Sequence, residues 1–428
     1  MPTVAVHSHV FARLAKSVAR ANGMPSARQI FVPQPVVGRT PEQLRGYIDG
    51  DDPVNGGAFA DGLLRGLTAP LGDEDLHGLS FERSVPRLLE SDTEDNLRQL
   101  FLESQWTDFM PIVLPTEERV AAMLTGTSRA PKEIVGRLRP TMYREFWEFD
   151  VEKVAVNAVM AGAKPEYMPV LLAMAAGGIS ARSSSTTSQA TVSIVNGPIR
   201  DEIGLNGGVG AMGPYSHANA TIGRAFGLLS QNLQGGSVPH ESYMGSQGNH
   251  LNYNALIVEN EQASPWEPLH VEHGFEPDQS TVMLLLGGWY KIFGGGPRET
   301  WEEKFTRSLQ ACDPYTGPVI ALDPLVAGGF VDRGFDTKAK LREWCLEHAR
   351  LPAREYWDNQ WIQTLMRPKG VAGIEPYASM LAAAPDEMIK MFRPEDLHIV
   401  VVGGSTGAMW QMIGGGPRPH IEPIDPWR

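Results

Sequence analysis

Apolar positions along the chain switch repeatedly between the spacing of a buried strand and that of a one-sided helix, and this switching predicts the architecture. Residues 4–7 and 29–32 read as short buried strands around a helix over 11–21, whose Leu14, Val18 and Ala21 share one face. That is a βαβ-like unit. Residues 39–73, rich in Gly, Pro and Asp, read as a loop between subdomains, 80–100 and 117–138 as helical, and 110–114 as an intervening strand. In 153–174 a helix, a turn and a second helix are expected, because Pro165 and Pro169 suit first-turn positions better than interiors. The β-branched run 191–195 predicts a strand.

Beyond residue 275, apolar strands at 281–287, 318–322 and 398–403 alternate with helices, among them 299–309 and 338–349. The fold class is therefore α/β, with open, mostly parallel sheets, flanking helices and two or three subdomains. The expected division is 1–150, an α/β domain with a helical connection; 151–275, a glycine- and asparagine-rich binding region; and 276–428, a second α/β lobe. Gly287–Gly288 and Gly403–Gly404 stand at strand ends, where open α/β sheets collect ligands. The GGG runs 294–296 and 414–416, each followed by Pro, read as hinges or tight turns, and the two lobes as distant duplicates.

With 428 residues the chain exceeds one ordinary core. Its 37 basic and 50 acidic side chains leave a charge of −13, which repels phosphate backbones and argues against nucleic acid. No secretory leader and no bilayer-length apolar run is recognisable, so a cytoplasmic location without membrane contact is expected. Cys312 and Cys345 suit buried, reduced thiols, and no CxxC spacing surrounds them. No cofactor is expected; a metal ion finds no support in the motif spacing.

Residues 194–227, IVNGPIRDEIGLNGGVGAMGPYSHANATIGRAFG, concentrate glycine, asparagine and hydroxyl groups where a strand hands over to a helix. Glycines admit a ligand close to backbone N–H groups, and a helix start attracts anions. Asn196, Asn206, Ser216, Asn219 and Thr221 are candidate neutral contacts, and Arg200 and Arg224 candidate carboxylate anchors, with Asn219 or Thr221 as N-cap. Gly208, Gly210 and Gly213 satisfy GxGxxG, but no strand directly precedes them, which argues against a dinucleotide site. A ligand-free tight loop is the plainer alternative.

A second constellation, Glu259, Glu261, Trp266, Glu267, His270, Glu272 and His273, combines carboxylates with imidazoles. Glu261, Glu267 and His270 are the candidate proton-transfer residues and Trp266 a candidate substrate contact; solvated loop charges and a structural or catalytic metal site are the alternative readings. His7, Ser8 and His9 close the first strand and read as core or interface groups. The hydroxyl run 183–188 lacks the turn that raises a serine nucleophile.

Three segments, KVAVNAVMAGAKPEYMPVLLAM, the glycine-rich run above and ENEQASPWEPLHVEHGF, together with the closing LHIVVVGGSTGAMWQMIGGGPRPHIEPI, resemble the large region of the UGSC family of bacterial proteins. That family is named for a selenocysteine-Gly-Ser-Cys motif, often Cys-Gly-Ser-Cys. The resemblance implies thiol or selenol oxidoreduction. The motif itself is missing, as though MPTVAVHSHV began just after it, and this chain has Ala163 and Ala255 near positions where the family often has cysteine. The expectation is the large subunit of a split, heteromeric enzyme, with a small partner carrying Cys-Gly-Ser-Cys and a small polar, carboxylate-bearing substrate. The alternatives are a lyase, hydratase or carbon–sulfur bond-forming enzyme using partner thiols as nucleophile, a non-catalytic scaffold, and a homologue that has lost redox chemistry.

Overall fold

Strand β1 (Ala5–Ser8) lies parallel to β2 (Gln29–Val32) through the helix Ala12–Ala21, so the chain opens as the expected βαβ unit. The computed structural model describes residues 3–21, 23–36, 38–73, 86–138, 147–182, 188–213, 215–233, 243–254, 256–295, 299–416 and 419–428. Among these, no further strand joins β1 and β2. Phe31 and Ile30 are buried, but Val6 is half exposed. Residues 39–73 are not the loop the composition suggested. They form helices Pro41–Ile48 and Phe59–Thr68, the first opened by a capping box in which Thr40 Oγ1 accepts from Gln43 N and Gln43 Oε1 accepts from Thr40 N.

Two further expectations are corrected in the connecting region. Residues 110–114 are irregular rather than a strand, since Pro111 and Pro115 bring no N–H to a ladder. The helix begun at Glu117 stops at Leu124, and β3 (Ile134–Leu138) forms an antiparallel pair with β4 (Trp147–Asp150). A Cβ on Gly126 would fall 1.8 Å from the Pro165 carbonyl oxygen, so the chain turns there against its neighbour. Of the 80–100 expectation, the helix Glu94–Glu103 is present, capped by Thr93, while 80–85 lie outside the described residues.

The body of the fold is two four-stranded sheets, open and helix-flanked. One runs β14 (His420–Pro423), β7 (Thr281–Gly287), β5 (Ala190–Asn196), β6 (Leu256–Val258). The other runs β12 (His398–Val401), β9 (Pro318–Leu322), β13 (Met409–Gly414), β8 (Lys291–Gly295); the short β10 (Arg350–Pro352) and β11 (Met388–Lys390) pair apart from both. Each large sheet has one parallel pair and two antiparallel ones.

Strand alternation sorts the apolar side chains into layers. Val192, Ile194, Ile257, Met283 and Leu285 face Val319, Ala321, Val400, Val402 and Ile413 across the space between the sheets. The opposite face of the first sheet packs on helices Val151–Met160, Met168–Ala176 and His217–Leu233. That of the second packs on Trp301–Gln310, Pro324–Val331 and Lys338–His348. The order of layers is helix, sheet, sheet, helix.

The two sheets also share a connectivity. β5 leads through a helix to parallel β6, then to antiparallel β7, and the next strand, β8, joins the other sheet; β9 leads through helices to parallel β12, then antiparallel β13, and β14 returns to the first. Each half therefore lends its last strand to the other. The crossing connections touch backbone to backbone, with Gly288 N donating to Gly414 O at 2.7 Å. A Cβ on Gly287 would lie 2.6 Å from Gly414 O, so the glycines at 287 and 414–416 serve close packing and not a hinge.

Candidate functional site

β5 and β6 run parallel, and their carboxyl ends deliver Asn196 and Glu259 side by side. The Asn196 amide donates to Glu259 Oε2 and, at 3.0 Å, to Glu261 Oε1, which also accepts from Gly197 N at 2.8 Å. Arg200 stands 2.8 Å from Glu261 Oε2 and donates to Glu259 O at 2.9 Å. Glu259, fully buried, further accepts from Leu269 N and from Lys338 Nζ, each at 2.8 Å. Lys338 lies 3.8 Å from Glu272, which Arg342 holds at 2.9 Å. Buried charges persist only when paired and hydrogen-bonded, and every member here that carries a fixed charge has an opposite partner.

His270 is buried beside this network, its Nδ1 3.9 Å from Glu261 Oε1; among the described residues neither ring nitrogen has a hydrogen-bond partner. Glu261 and His270, both candidates from the sequence, thus lie close together. Glu267 is exposed. Trp266 is buried in the aromatic core of the second half, its indole N–H donating to Phe335 O at 2.9 Å.

Strand β6 ends at Val258, and the helix carrying Arg224 begins at His217 with Ser216 Oγ accepting from Asn219 N at 3.3 Å, so Ser216 takes the capping role expected of Asn219 or Thr221. Arg224 makes a two-point contact with buried Asp108, at 2.9 and 3.0 Å, and donates to Pro111 O. Both candidate anchoring arginines are thereby engaged inside the protein. Asn206 and Asn219 shape the glycine-rich segment: Asn219 Oδ1 accepts from Asn206 N, and its amide donates to Asn206 O and Ala211 O. Thr221 donates back to His217 O. His7 is half-buried, its pKa lowered by desolvation, and His9 Nδ1 accepts from Gln34 N. Of the hydroxyl run, 183–187 lie outside the described residues, as does Ala255.

The glycine-rich segment spans from one sheet to the other. Gly403 N donates to Gly207 O at 2.8 Å, and Asn260 N to Val401 O at 2.7 Å. Residues Ala211–Gly213 divide two adjoining cavities. One, of about 280 Å³, lies at the carboxyl ends of parallel β9 and β12 and is lined by Asp323, Phe293, Gly403, Thr406 and Gln411. The other, of about 200 Å³, is lined by Asn219, Asn254, Lys291 and the inter-sheet apolar residues. The crevice that the glycines form is therefore closed by the second sheet, and the Glu259–His270 network stands behind it.

Asp323 caps the helix Pro324–Val331, accepting from Val326 N at 2.9 Å and from Met409 N, and burial raises its pKa. Gln411 Oε1 is buried without a partner among the described residues. A carboxyl and an unsatisfied amide in the larger cavity, with a lysine in the adjoining one, can orient a small polar molecule that reaches from one to the other. Sequence reasoning passed over all three. An Asp-Pro pair closing an apolar strand and a lone Gln inside MWQMIG were the available signals.

Cys312 and Cys345 are free and buried. Desolvation pushes the Cys312 thiol up to about 12 and raises Cys345 further. Cys312 Sγ lies 3.8 Å from Met412 Sδ, and Met412 points to the face of β13 opposite Gln411, so this sulfur is separated from the larger cavity by the sheet.

Among the described residues, no helix is long and apolar enough to cross a membrane and no group of His, Cys, Asp and Glu side chains is arranged to hold a metal. No family model matches the chain, and neither does any curated protein or solved structure.

Proposed function

We propose that this protein is the large subunit of a thiol-dependent oxidoreductase that binds a small polar, carboxylate-bearing molecule under its glycine-rich segment, beside a redox cysteine pair supplied by a small companion chain. The observation that carries the reading is the position of the chain's own sulfur. Both thiols are buried and held protonated, while of the two cavities beside Ala211–Gly213 the larger is lined by a carboxyl and an amide, the smaller by a lysine, and neither by a cysteine. A thiolate is the reactive form, so sulfur chemistry in either cavity must use thiols from outside. The parallel pair β1–β2, with Val6 half exposed, offers an open edge for a companion, since parallel strands are ordinarily covered on both faces.

In this reading the companion's dithiol becomes a disulfide as the substrate takes up two electrons and two protons, and a small-molecule dithiol resets the pair. Lys291 faces the substrate carboxylate, and Asp323 exchanges a proton near the reacting atoms. Co-purification from the native source, followed by turnover assays with the dithiol, tests it. The expected result is a small Cys-Gly-Ser-Cys chain in the complex, activity that survives Cys312→Ala with Cys345→Ala, and one disulfide per turnover. Turnover without thiol oxidation would favour lyase or bond-forming chemistry, and indifference to Asp323→Asn and Lys291→Ala would leave only a scaffold. Full activity of the isolated, cysteine-free chain would refute the proposal.

A further inference from the structure

The largest cavity described, about 400 Å³, lies away from the glycine-rich segment, in the excursion of chain between β9 and β12. Its walls come from the helices Ala353–Asp358 and Tyr377–Ala382 and from β11, and they include Tyr356, Tyr377, Ile362, Met366, Met380 and Phe392. The cavity is open to solvent on one side, and a concave, mainly apolar cleft of this size with a few polar groups is the usual form of a small-ligand site.

Three features describe the occupant. The apolar wall is rich in ring faces and methionine, which adapt to ring-shaped ligands through sulfur–aromatic and edge-to-face contacts. Tyr356 and Tyr377 are buried as residues and line the cavity, and among the described residues no hydrogen bond holds either hydroxyl. Both hydroxyls are therefore left to water or to a ligand. The cations at the rim, by contrast, are engaged: Arg350 and Lys390 with Glu347, Arg393 with Asp396. Each described cation in the cavity lining is thus already paired, which disfavours an anionic head. One wall, Ile362–Met366, is a π-helical turn, a rare form concentrated at functional sites.

We infer that this cavity is a second ligand site, for an uncharged, mainly apolar ring compound carrying one hydrogen-bonding group that Tyr356 and Tyr377 engage. Burial keeps both phenols un-ionised, as donors, across the neutral range. The site is independent of the thiol chemistry proposed above and stands or falls separately.

Fluorescence titration of the full chain with N-phenyl-1-naphthylamine, a neutral two-ring probe, tests the inference. Saturable 1:1 binding is expected, at least tenfold tighter than that of the sulfonated analogue 1-anilinonaphthalene-8-sulfonate. Filling the cavity with Ile362→Trp is expected to weaken the neutral probe at least tenfold with the far-ultraviolet circular dichroism unchanged. Because that variant could misfold, a second measurement uses competition: 1-naphthol should displace the probe at least fivefold better than naphthalene, and Tyr356→Phe with Tyr377→Phe should abolish the preference. Absence of saturable binding, equal binding of the sulfonate, or a naphthol preference that survives the double substitution would each overturn the assignment.

Discussion

Lys338 and Glu259, 79 residues apart, meet at 2.8 Å with both side chains fully buried, and the pair ties the second half's helix Lys338–His348 to the end of β6. Removing one partner of such a pair leaves an uncompensated charge, which costs on the order of 3–5 kcal/mol. Lys338→Met is therefore expected to lower the unfolding free energy by about that amount. Glu259→Gln introduced into Lys338→Met should recover a substantial part, because the carboxylate no longer needs a countercharge. Urea denaturation of the two singles and the double measures the coupling; additive losses would show that the pair is not the joint it looks to be.

Acid should destabilise the protein through His398, which β12 buries against His273 with ring centroids 6.0 Å apart. Desolvation lowers its pKa to about 3, with the nearby His273 and Arg342 adding to the effect, and His273 is lowered too. In the unfolded chain the ordinary value is about 6.5, so between pH 6.5 and pH 3 the unfolded state binds a proton that the folded state refuses. Stability from this group is complete above pH 6.5 and falls as pH drops through the window, by up to about 1.4 kcal/mol per pH unit. Urea midpoints measured from pH 8 to pH 4 should show the decline, and His398→Leu should flatten it by about one proton's worth. An unchanged slope would remove His398 as the cause.

Gly404 fixes the height of the glycine-rich segment above the second sheet. A Cβ there would lie 2.2 Å from Val209 Cγ2, closer than real atoms approach. Gly404→Ala is expected to cost about 1–3 kcal/mol by forcing Val209 aside. Val209→Ala in the same chain should restore most of the loss by removing the obstructing methyl. Independent effects of the two substitutions, read by denaturant titration, would place the clash elsewhere.

The elements that sequence reading located well are those whose burial pattern is complete within one segment. Residues 318–322 are apolar at every position and form β9, and Pro165 and Pro169 mark helix starts as their missing N–H groups require. Two helices in 39–73 were lost to composition, although the Thr40–Gln43 capping box was written in the chain. The site was legible only in part. Asn196 and Glu261 stand at or just past the ends of β5 and β6, and His270 follows on the short helix Leu269–Glu272 of the same segment as Glu261, so that closeness could be anticipated. The ties of Arg200 to Glu261 and of Arg224 to Asp108, 116 residues away, are long-range and leave no trace in local spacing. Nor does the exchange of β8 and β14 between sheets, which puts Lys291 near the glycine-rich segment.

The protein's own thiols are expected to be chemically silent while it is folded. A thiol whose pKa stands near 12 has a thiolate fraction at pH 8 lower by roughly three orders of magnitude than an ordinary cysteine near 8.5. Burial then denies a disulfide reagent access to that small fraction. Dithionitrobenzoate at pH 8 should release no colour from the native chain over several minutes and two equivalents in 6 M guanidinium chloride. Under the proposed reading, a preparation that retains a small cysteine-bearing chain should show additional fast-reacting thiols, lost when that chain is stripped away. Rapid native reaction at Cys312 would place an activated sulfur within this chain and end the need for a second polypeptide to bring one.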